Sequence, residues 1–452
     1  MPSVLLYLAI LLVVIIVWFM FLKRPVYEAV AIAFVVLLLV TGTWQNIGAY
    51  INTALSTSLL YSMIAFVAMS IIFTKTKVID GCINIILALL GRVPGGAGYV
   101  SCIASSFMGA LSGSGPGNVI ATGVITIPVM KKSGYPAGLA GNIESNASAM
   151  GNMIPPSGNI VAALGALTAL YPEMNISTGT FWIVLWGISL WFILLRLVTI
   201  FAFVKYYKIR PMDEADIPDL KKSLRENWQG LLLPVIILVP FILDSALKDT
   251  FFTARLGATG AKYFSNSLLL FTAGIASLYT VLVTPDKKSV TPHKIAKMFA
   301  GSVKSIVPTI AVCIAGYTIG AMFADLNVAE EMQMFIAGLH MNKFATVTFV
   351  CILTCMLGFV ITGSSQIVIF GSAYIASLAA VGVNPVLAAA MLPCICGVMS
   401  LVTPPMGLCM YAAMTISGAD FDETFKNNLW WVVSQFVLQV IVMMGWLPVL
   451  GL

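Results

Sequence analysis

Charge is what this chain lacks most. Only nine per cent of its 452 residues are Asp, Glu, Lys or Arg, against sixty per cent hydrophobic, a balance that excludes a soluble globular protein. Histidine is scarcer still, and both copies, His293 and His340, fall outside the long apolar runs. HExxH and GxSxG patterns are missing, and no glycine-rich loop of Walker type offers a nucleotide site. The chain therefore reads as a non-enzyme that spends no ATP. Cysteine pairs such as Cys351-x3-Cys355 and Cys394-x-Cys396 have no histidine beside them, so they read as small buried hydrophobes and not as a metal site. No A-x-A-like cleavage site follows the apolar residues 3–22, which are long enough to span a bilayer, so no cleavable signal peptide is expected. The net charge of +6 needs no nucleic acid to explain it, because the basic residues cluster in connecting segments.

What is present is a polytopic helical membrane protein. Full spans are expected at about 3–22, 26–43, 55–74, 181–204, 231–244, 265–283, 306–323 and 429–447, with interfacial helices at 79–92 and 327–341. Trp44, Trp182, Trp228, Trp430 and Trp431 fall near span ends, where an aromatic belt would place them.

Two stretches do not read as plain spans. The first runs from Ser112-Gly113-Ser114-Gly115 to Pro155-Pro156, with a basic turn at Lys131-Lys132 between. The second runs from Thr362-Gly363-Ser364-Ser365 to Pro404-Pro405, with a turn at Gly382 to Pro385. In both, the small-polar tip precedes the double proline by about 42–43 residues, which reads as an internal repeat. A helix over 116–131 covers about 24 Å, too short for a relaxed crossing and long enough to reach mid-bilayer. The expectation is two re-entrant hairpins, 98–131 and 344–381, and two broken helices, 137–170 and 386–417.

The fold class is thus all-α and polytopic, an inverted-repeat transporter. Residues 1–204 form the first repeat, 205–230 a charged cytoplasmic linker and 231–452 the second repeat. With the N-terminus outside, the inside loops hold about 19 of roughly 23 loop Lys and Arg residues, as the positive-inside rule requires.

The chemistry follows from the breaks. Each proline lacks an N–H and displaces the carbonyl four residues back, so Pro155 and Pro156 free the carbonyls of Gly151 and Asn152, and Pro404 and Pro405 those of Ser400 and Leu401. Carbonyls and hydroxyls suit a hard cation, and half-helix N-termini suit an anion. The cation-site candidates at the first tip and break are Ser112, Gly113, Ser114, Gly115, Gly151, Asn152, Pro155 and Ser157. Those at the second are Thr362, Gly363, Ser364, Ser365, Ser400 and Thr403. Substrate candidates are Asn118, Ser157, Asn159, Ser364 and Gln366. The competing reading is that small and polar residues merely pack helices closely.

Glu144 stands apart, since an intramembrane carboxylate marks function by default. Helix rise puts Arg196 at a similar depth, so a Glu144–Arg196 pair is one reading and a cation or proton site at Glu144 another. A carboxylate facing an aqueous vestibule is the bland alternative. Asp244 and Asp325 lie at span ends and are expected to be solvated.

The ordered blocks PGGAGYV, FMGALSGSG, VITIPVMKKSGYP, LAGNIESNASAMGNMIPPSGN and VTPPMGLCMYAAMTISG resemble the large membrane subunit of the tripartite ATP-independent periplasmic (TRAP) transporters, over about 94–170 and 383–418. The resemblance implies a sodium-coupled, elevator-type importer of organic acids in a bacterial or archaeal cytoplasmic (inner) membrane. It implies two partners, a periplasmic substrate-binding protein and a small four-span membrane subunit. Sodium is the coupling ion and there is no other cofactor; the sodium sites would fall on the tips and breaks, with the substrate carboxylate between the tips. Glu144, Asn146 and Asn152 depart from the family's small or apolar residues, and the second tip lacks its usual aspartate. The alternative is a stand-alone sodium- or proton-coupled anion transporter of related fold.

Overall fold

The structure, a computed structural model, describes residues 3–452 apart from Lys77, Gly113, Ser114, Asn175, Pro285, His340, Val360 and Pro405. The described residues are helical with short connections. The chain opens with α1 (Ser3–Ile16), α2 (Val26–Thr41), α3 (Ile47–Ser56), α4 (Ser58–Lys75) and α5 (Val78–Leu90). A helical hairpin follows, α6 (Gly96–Ser112) and α7 (Gly115–Lys132), and then an interrupted helix, α8 (Ala137–Met150) and α9 (Gly158–Leu170). The long α10 (Thr178–Tyr207) leads through α11 (Leu220–Asn227) to α12 (Leu232–Leu247), α13 (Thr253–Val283) and α14 (Pro292–Asp325). After α15 (Val328–Gly338) comes a second hairpin, α16 (Lys343–Leu357) and α17 (Gly363–Ala380). A second interrupted helix consists of α18 (Pro385–Leu392), a π-helical stretch Pro393–Val398, α19 (Met399–Val402) and, beyond the break, α20 (Leu408–Ser417); α21 (Phe421–Met444) closes the fold.

Six helical stretches among the described residues are long and apolar enough to cross a membrane: Thr178–Tyr207, Glu214–Asp244, Thr259–Val283, Gly363–Ala380, Pro385–Val402 and Phe421–Met444. The protein is a multi-pass membrane protein. Side-chain caps start several helices where a polar residue precedes an apolar run: Ser177 accepts from Thr180 N, Asn342 from Ala345 N and Asp420 from Glu423 N. Gly418 and Gly445 end helices with positive φ, a conformation that favours a residue without Cβ.

The interrupted helices form the middle of the core. Every described residue from Gly138 onward in α8 is buried, and so is every residue of Val386–Val398. Around them α7 packs on α8 and α20, while α17 packs on α18 and α9, so each hairpin touches both interrupted helices.

Several expectations need correction. Residues 284–305 are not simply a loop, because α14 begins at Pro292, whose fixed φ and missing N–H suit a first helical turn. The 205–230 linker contains α11, capped by the Asp219 side chain accepting from Lys222 N. Helix α3 was not expected; it carries its few buried residues, Tyr50 and Ala54, on one side. Trp182 and Trp431 are buried and do not join an aromatic belt, whereas Trp44, Trp228 and Trp430 are exposed. Asp244 is not solvated: it is 1% exposed and accepts from Ser265 Oγ at 2.8 Å. Asp325 is exposed as expected and accepts from Tyr50 and Asn46.

Candidate functional site

The double prolines do what their chemistry requires. Helix α8 ends at Met150, and the chain tightens through three i→i+3 turns, Gly151 N to Ser148 O, Asn152 N to Ala149 O and Met153 N to Met150 O. It then restarts at Ser157, whose carbonyl accepts from Ile160 N and Val161 N. In the second copy α19 ends at Val402, and α20 starts only after Gly407. The sequence reading overlooked Pro393. Lacking an N–H in mid-helix, it opens the π-helical stretch Pro393–Val398.

Each hairpin tip is seated on a break. Gly109, near the end of α6, lies so close to Gly151 that a Cβ on Gly151 would stand 2.0 Å from the Gly109 carbonyl carbon. A Cβ on Gly115 would stand 2.7 Å from Cys409 Sγ and from a Leu401 methyl, so the first tip also reaches the second break. Gly363 N donates to Ser400 Oγ at 2.9 Å, and a Cβ on Gly363 would meet Cys396 O at 2.4 Å. The first break touches the second interrupted helix at Gly397 of the π-helical stretch, whose added Cβ would stand 3.0 Å from Asn159 Nδ2 and 3.3 Å from Asn152 Cβ. Asn159 Nδ2 donates to Asn152 Oδ1 at 3.0 Å, tying the two sides of the first break together.

The candidates divide accordingly. Gly115, Gly151, Asn152, Asn159, Gly363 and Ser400 are brought to the tips and breaks. Gly113 and Ser114 lie outside the described residues, as does Pro405; Ser112 is the last residue of α6. Ser157 is 3% exposed at the start of α9. Pro155 and Pro156 line a small apolar crevice with Phe107, Ala110 and Trp186. Thr362 caps α17, sharing a hydrogen bond with Ser365 Oγ at 2.9 Å. Ser364 is exposed beside it. Gln366 is fully buried; its Nε2 donates to Ile361 O at 3.3 Å, and its Oε1 has no hydrogen-bond partner. Thr403 Oγ1 donates back to Met399 O at 2.6 Å. Asn118, one turn into α7, donates to Ser105 O and to Ser148 Oγ, leaving its Oδ1 without a partner.

Glu144 and Arg196 do not pair. Arg196 is 2% exposed and donates to Asn146 O at 3.3 Å, Phe192 O at 3.4 Å and Gln435 Oε1 at 2.6 Å. Asn146 stands two positions along from Glu144, which on a helix sets the two residues on different faces. Glu144 is fully buried, not at a vestibule, and among the described residues hydroxyls donate to its oxygens: Ser101 (2.7 Å), Ser105 (3.0 Å), Thr122 (2.5 Å), Thr126 (2.6 Å) and Ser148 (2.9 Å).

Sequence reading missed the side chains that stitch the breaks. Ser189 Oγ of α10 donates to Met153 O at 3.0 Å, and Asn428 Nδ2 of α21 donates to Val402 O at 2.6 Å. Asn146 Nδ2 donates to Asn428 Oδ1, Asn142 Nδ2 to Thr424 O, and Gly138 N to Glu423 Oε1, so α21 lies along α8 through polar contacts. A polar residue inside an apolar span was the available signal, since such a group needs a partner.

Comparison with known proteins gives the architecture a family. The solved structure of MtrF from Neisseria gonorrhoeae, described as illuminating a class of antimetabolite efflux pumps, superposes with a TM-score of 0.65 at 12% identity, covering 90% of this chain and 84% of that one. The C4-dicarboxylate TRAP transporter large permease protein DctM of Pseudomonas aeruginosa is 24% identical over 355 residues, 78% of this chain and 77% of that protein. The isethionate TRAP transporter permease protein DctMQ of Oleidesulfovibrio alaskensis is 24% identical over 360 residues, 76% of this chain but 50% of its own length. The family model for the DctM component of the tripartite ATP-independent periplasmic transporters matches residues 7–449. With a match over nearly its whole length, this chain belongs to the DctM family of TRAP transporter large permease components.

Proposed function

We propose that this chain is the large permease subunit of a sodium-coupled importer of organic acids in the cytoplasmic membrane. Residues 1–204 and 231–452 are read as inverted repeats whose hairpins enter the membrane from opposite faces without crossing it. The hairpins and interrupted helices move together as the carrier, in an elevator-type cycle. The observation that carries this reading is the contact between the first break and the second interrupted helix, Asn152 and Asn159 against Gly397, with a hairpin seated on each interrupted helix. Irregular backbone at membrane depth is tolerated where protein buries it or where it lines a site, and paired half-helices are the usual transporter solution. Sodium is assigned to the tips and breaks, where small residues let backbone oxygens approach closely, and the substrate carboxylate to the space between the tips beside Asn118, Asn159 and Gln366. The name of the Pseudomonas aeruginosa relative makes C4-dicarboxylates the first substrates to try.

A periplasmic binding protein and a small membrane subunit complete the transporter in this reading. The DctMQ relative, of which this chain covers half, is consistent with a second membrane component joined to the first. The test is uptake into vesicles holding this chain and its small subunit, with the binding protein outside. Uptake that requires both an inward sodium gradient and the binding protein is expected. Transport by this chain alone would make it a stand-alone carrier, and uptake indifferent to sodium would remove the coupling assignment.

A further inference from the structure

From the packing around Glu144 we infer that its carboxyl group is a proton-binding site, distinct from the tips and breaks, and that it exchanges one proton with water. It is fully buried on α8, and α6 and α7 supply four of its five hydroxyl donors: Ser101, Ser105, Thr122 and Thr126. Among the described residues no Lys, Arg or His forms an ion pair with it. The five hydroxyls offset part of the cost of burying a carboxylate without a countercharge, and binding a cation or a proton neutralises the charge that remains.

Oxygen spacing decides between the two. Hard cations hold oxygen ligands at about 2.3–2.6 Å, so neighbouring ligands around an octahedral ion stand about 3.4 Å apart. The hydroxyl oxygens lie only 2.5–3.0 Å from the carboxylate oxygens, hydrogen-bond distances that leave no room for an ion between them. A proton needs no such room.

The cage also serves both protonation states. Thr122 Oγ1 lies 2.9 Å from Asn118 O, Thr126 Oγ1 lies 3.1 Å from Thr122 O, and Ser105 Oγ lies 3.0 Å from Thr122 Oγ1. With Glu144 ionised, the hydroxyls donate to it. When a proton from water forms an O–H bond on one carboxyl oxygen, a hydroxyl rotates to its second acceptor and receives that bond instead. No electrons move and no heavy atom needs to shift. Release reverses the step and leaves the carboxylate. The bond from Asn118 to Ser148 links this cage to the first tip, one turn away.

The surrounding titratable groups are few. On α6 and α20 they are the thiols Cys102 and Cys409, both buried. Arg196 on α10 and Glu423 on α21 face Asn146 and Gly138 of α8 instead, and Lys131 of α7 donates to Ser417 O.

The direct test is infrared difference spectroscopy of the purified full-length protein between acidic and alkaline buffer. The wild type is expected to show a protonated-carboxyl C=O band from a dry site, and E144Q to lose it. An E144Q spectrum identical to the wild type overturns the assignment. If E144Q does not assemble, the T122V/S148A double variant keeps the carboxyl and removes both donors to its Oε1, so its band must shift; an unshifted band overturns the proposal equally. A role in coupling rests on the transporter reading above. In co-reconstituted vesicles, a pH gradient should alter sodium-driven uptake by the wild type and leave uptake by E144Q unaffected. Failure of all uptake by the wild type would count against that reading, while the infrared band still reports on Glu144.

Discussion

The two interrupted helices share a backbone plan and differ in what they carry. Ser101 and Ser105 stand eleven and seven residues before the tip residue Ser112; Cys351 and Cys355 stand eleven and seven before Thr362. Glu144 and Ser148 precede Pro155 by eleven and seven; Pro393 and Gly397 precede Pro404 by the same counts. A carboxylate and hydroxyls on one side are thus matched by thiols, a proline and a glycine on the other. The first copy is held by side-chain hydrogen bonds, Asn142 and Asn146 to α21 and Glu144 to α6 and α7. The second has fewer such bonds, Asn428 to Val402 O and Gly363 N to Ser400 Oγ, and otherwise relies on close apolar packing, with the π-helical stretch taking up the proline. The lesson is that break geometry belongs to both copies, whereas ionisable chemistry belongs to the first.

Three pairs of substitutions sharpen or break this contrast, and thermal unfolding of the purified protein reads each. The largest difference is expected between Gly151→Ala and Gly397→Ala. A methyl on Gly151 runs into the Gly109 backbone, which cannot yield, and should cost about 3 kcal/mol with loss of folded yield. At Gly397 the obstacle is the end of the Asn159 side chain, which can swing aside, and about 1 kcal/mol is expected. Equal costs would mean that the two breaks are packed alike.

Next come the stitching residues. Asn428→Ala removes the partner of the Val402 carbonyl and one of the two acceptors of Asn146 Nδ2 and should cost about 2 kcal/mol, whereas Ser189→Ala releases only the Met153 carbonyl and should cost about 1 kcal/mol. The reverse order would show that the second break is not held by α21. The smallest effect belongs to Cys355→Ser, about 0.5 kcal/mol, because that free thiol is only half-buried. Ser105→Cys, by contrast, replaces a hydroxyl that serves both Glu144 and Thr122, and should cost about twice as much or more. Parity between these last two would deny the asymmetry.

Hairpins and breaks were legible because glycine and proline act locally. Where helices were expected over 98–131 and 137–170, α6 and α7 run over Gly96–Lys132 and α8 and α9 over Ala137–Leu170. The cage was not legible. Its donors come from positions 101, 105, 122, 126 and 148, and serine or threonine in an apolar run is ordinary packing until the helices are brought together. Arg196 could be placed near Glu144 by helix rise alone, but rise says nothing of the direction in which a side chain points, and its partners proved to be Asn146 and Gln435. Asn428 lies 26 residues from the carbonyl it satisfies and 282 from Asn146, separations that no local pattern bridges.

By itself, the sequence determined that this is a helical membrane protein with two helices interrupted at twin prolines, since hydropathy and the missing proline N–H act residue by residue. Only the tertiary structure decided that the first break meets the second interrupted helix at Gly397, that Arg196 turns from Glu144, and that five scattered hydroxyls surround one carboxyl group. The physical reason is that a buried polar group must find a partner, and which partner it finds depends on which helix faces are packed together.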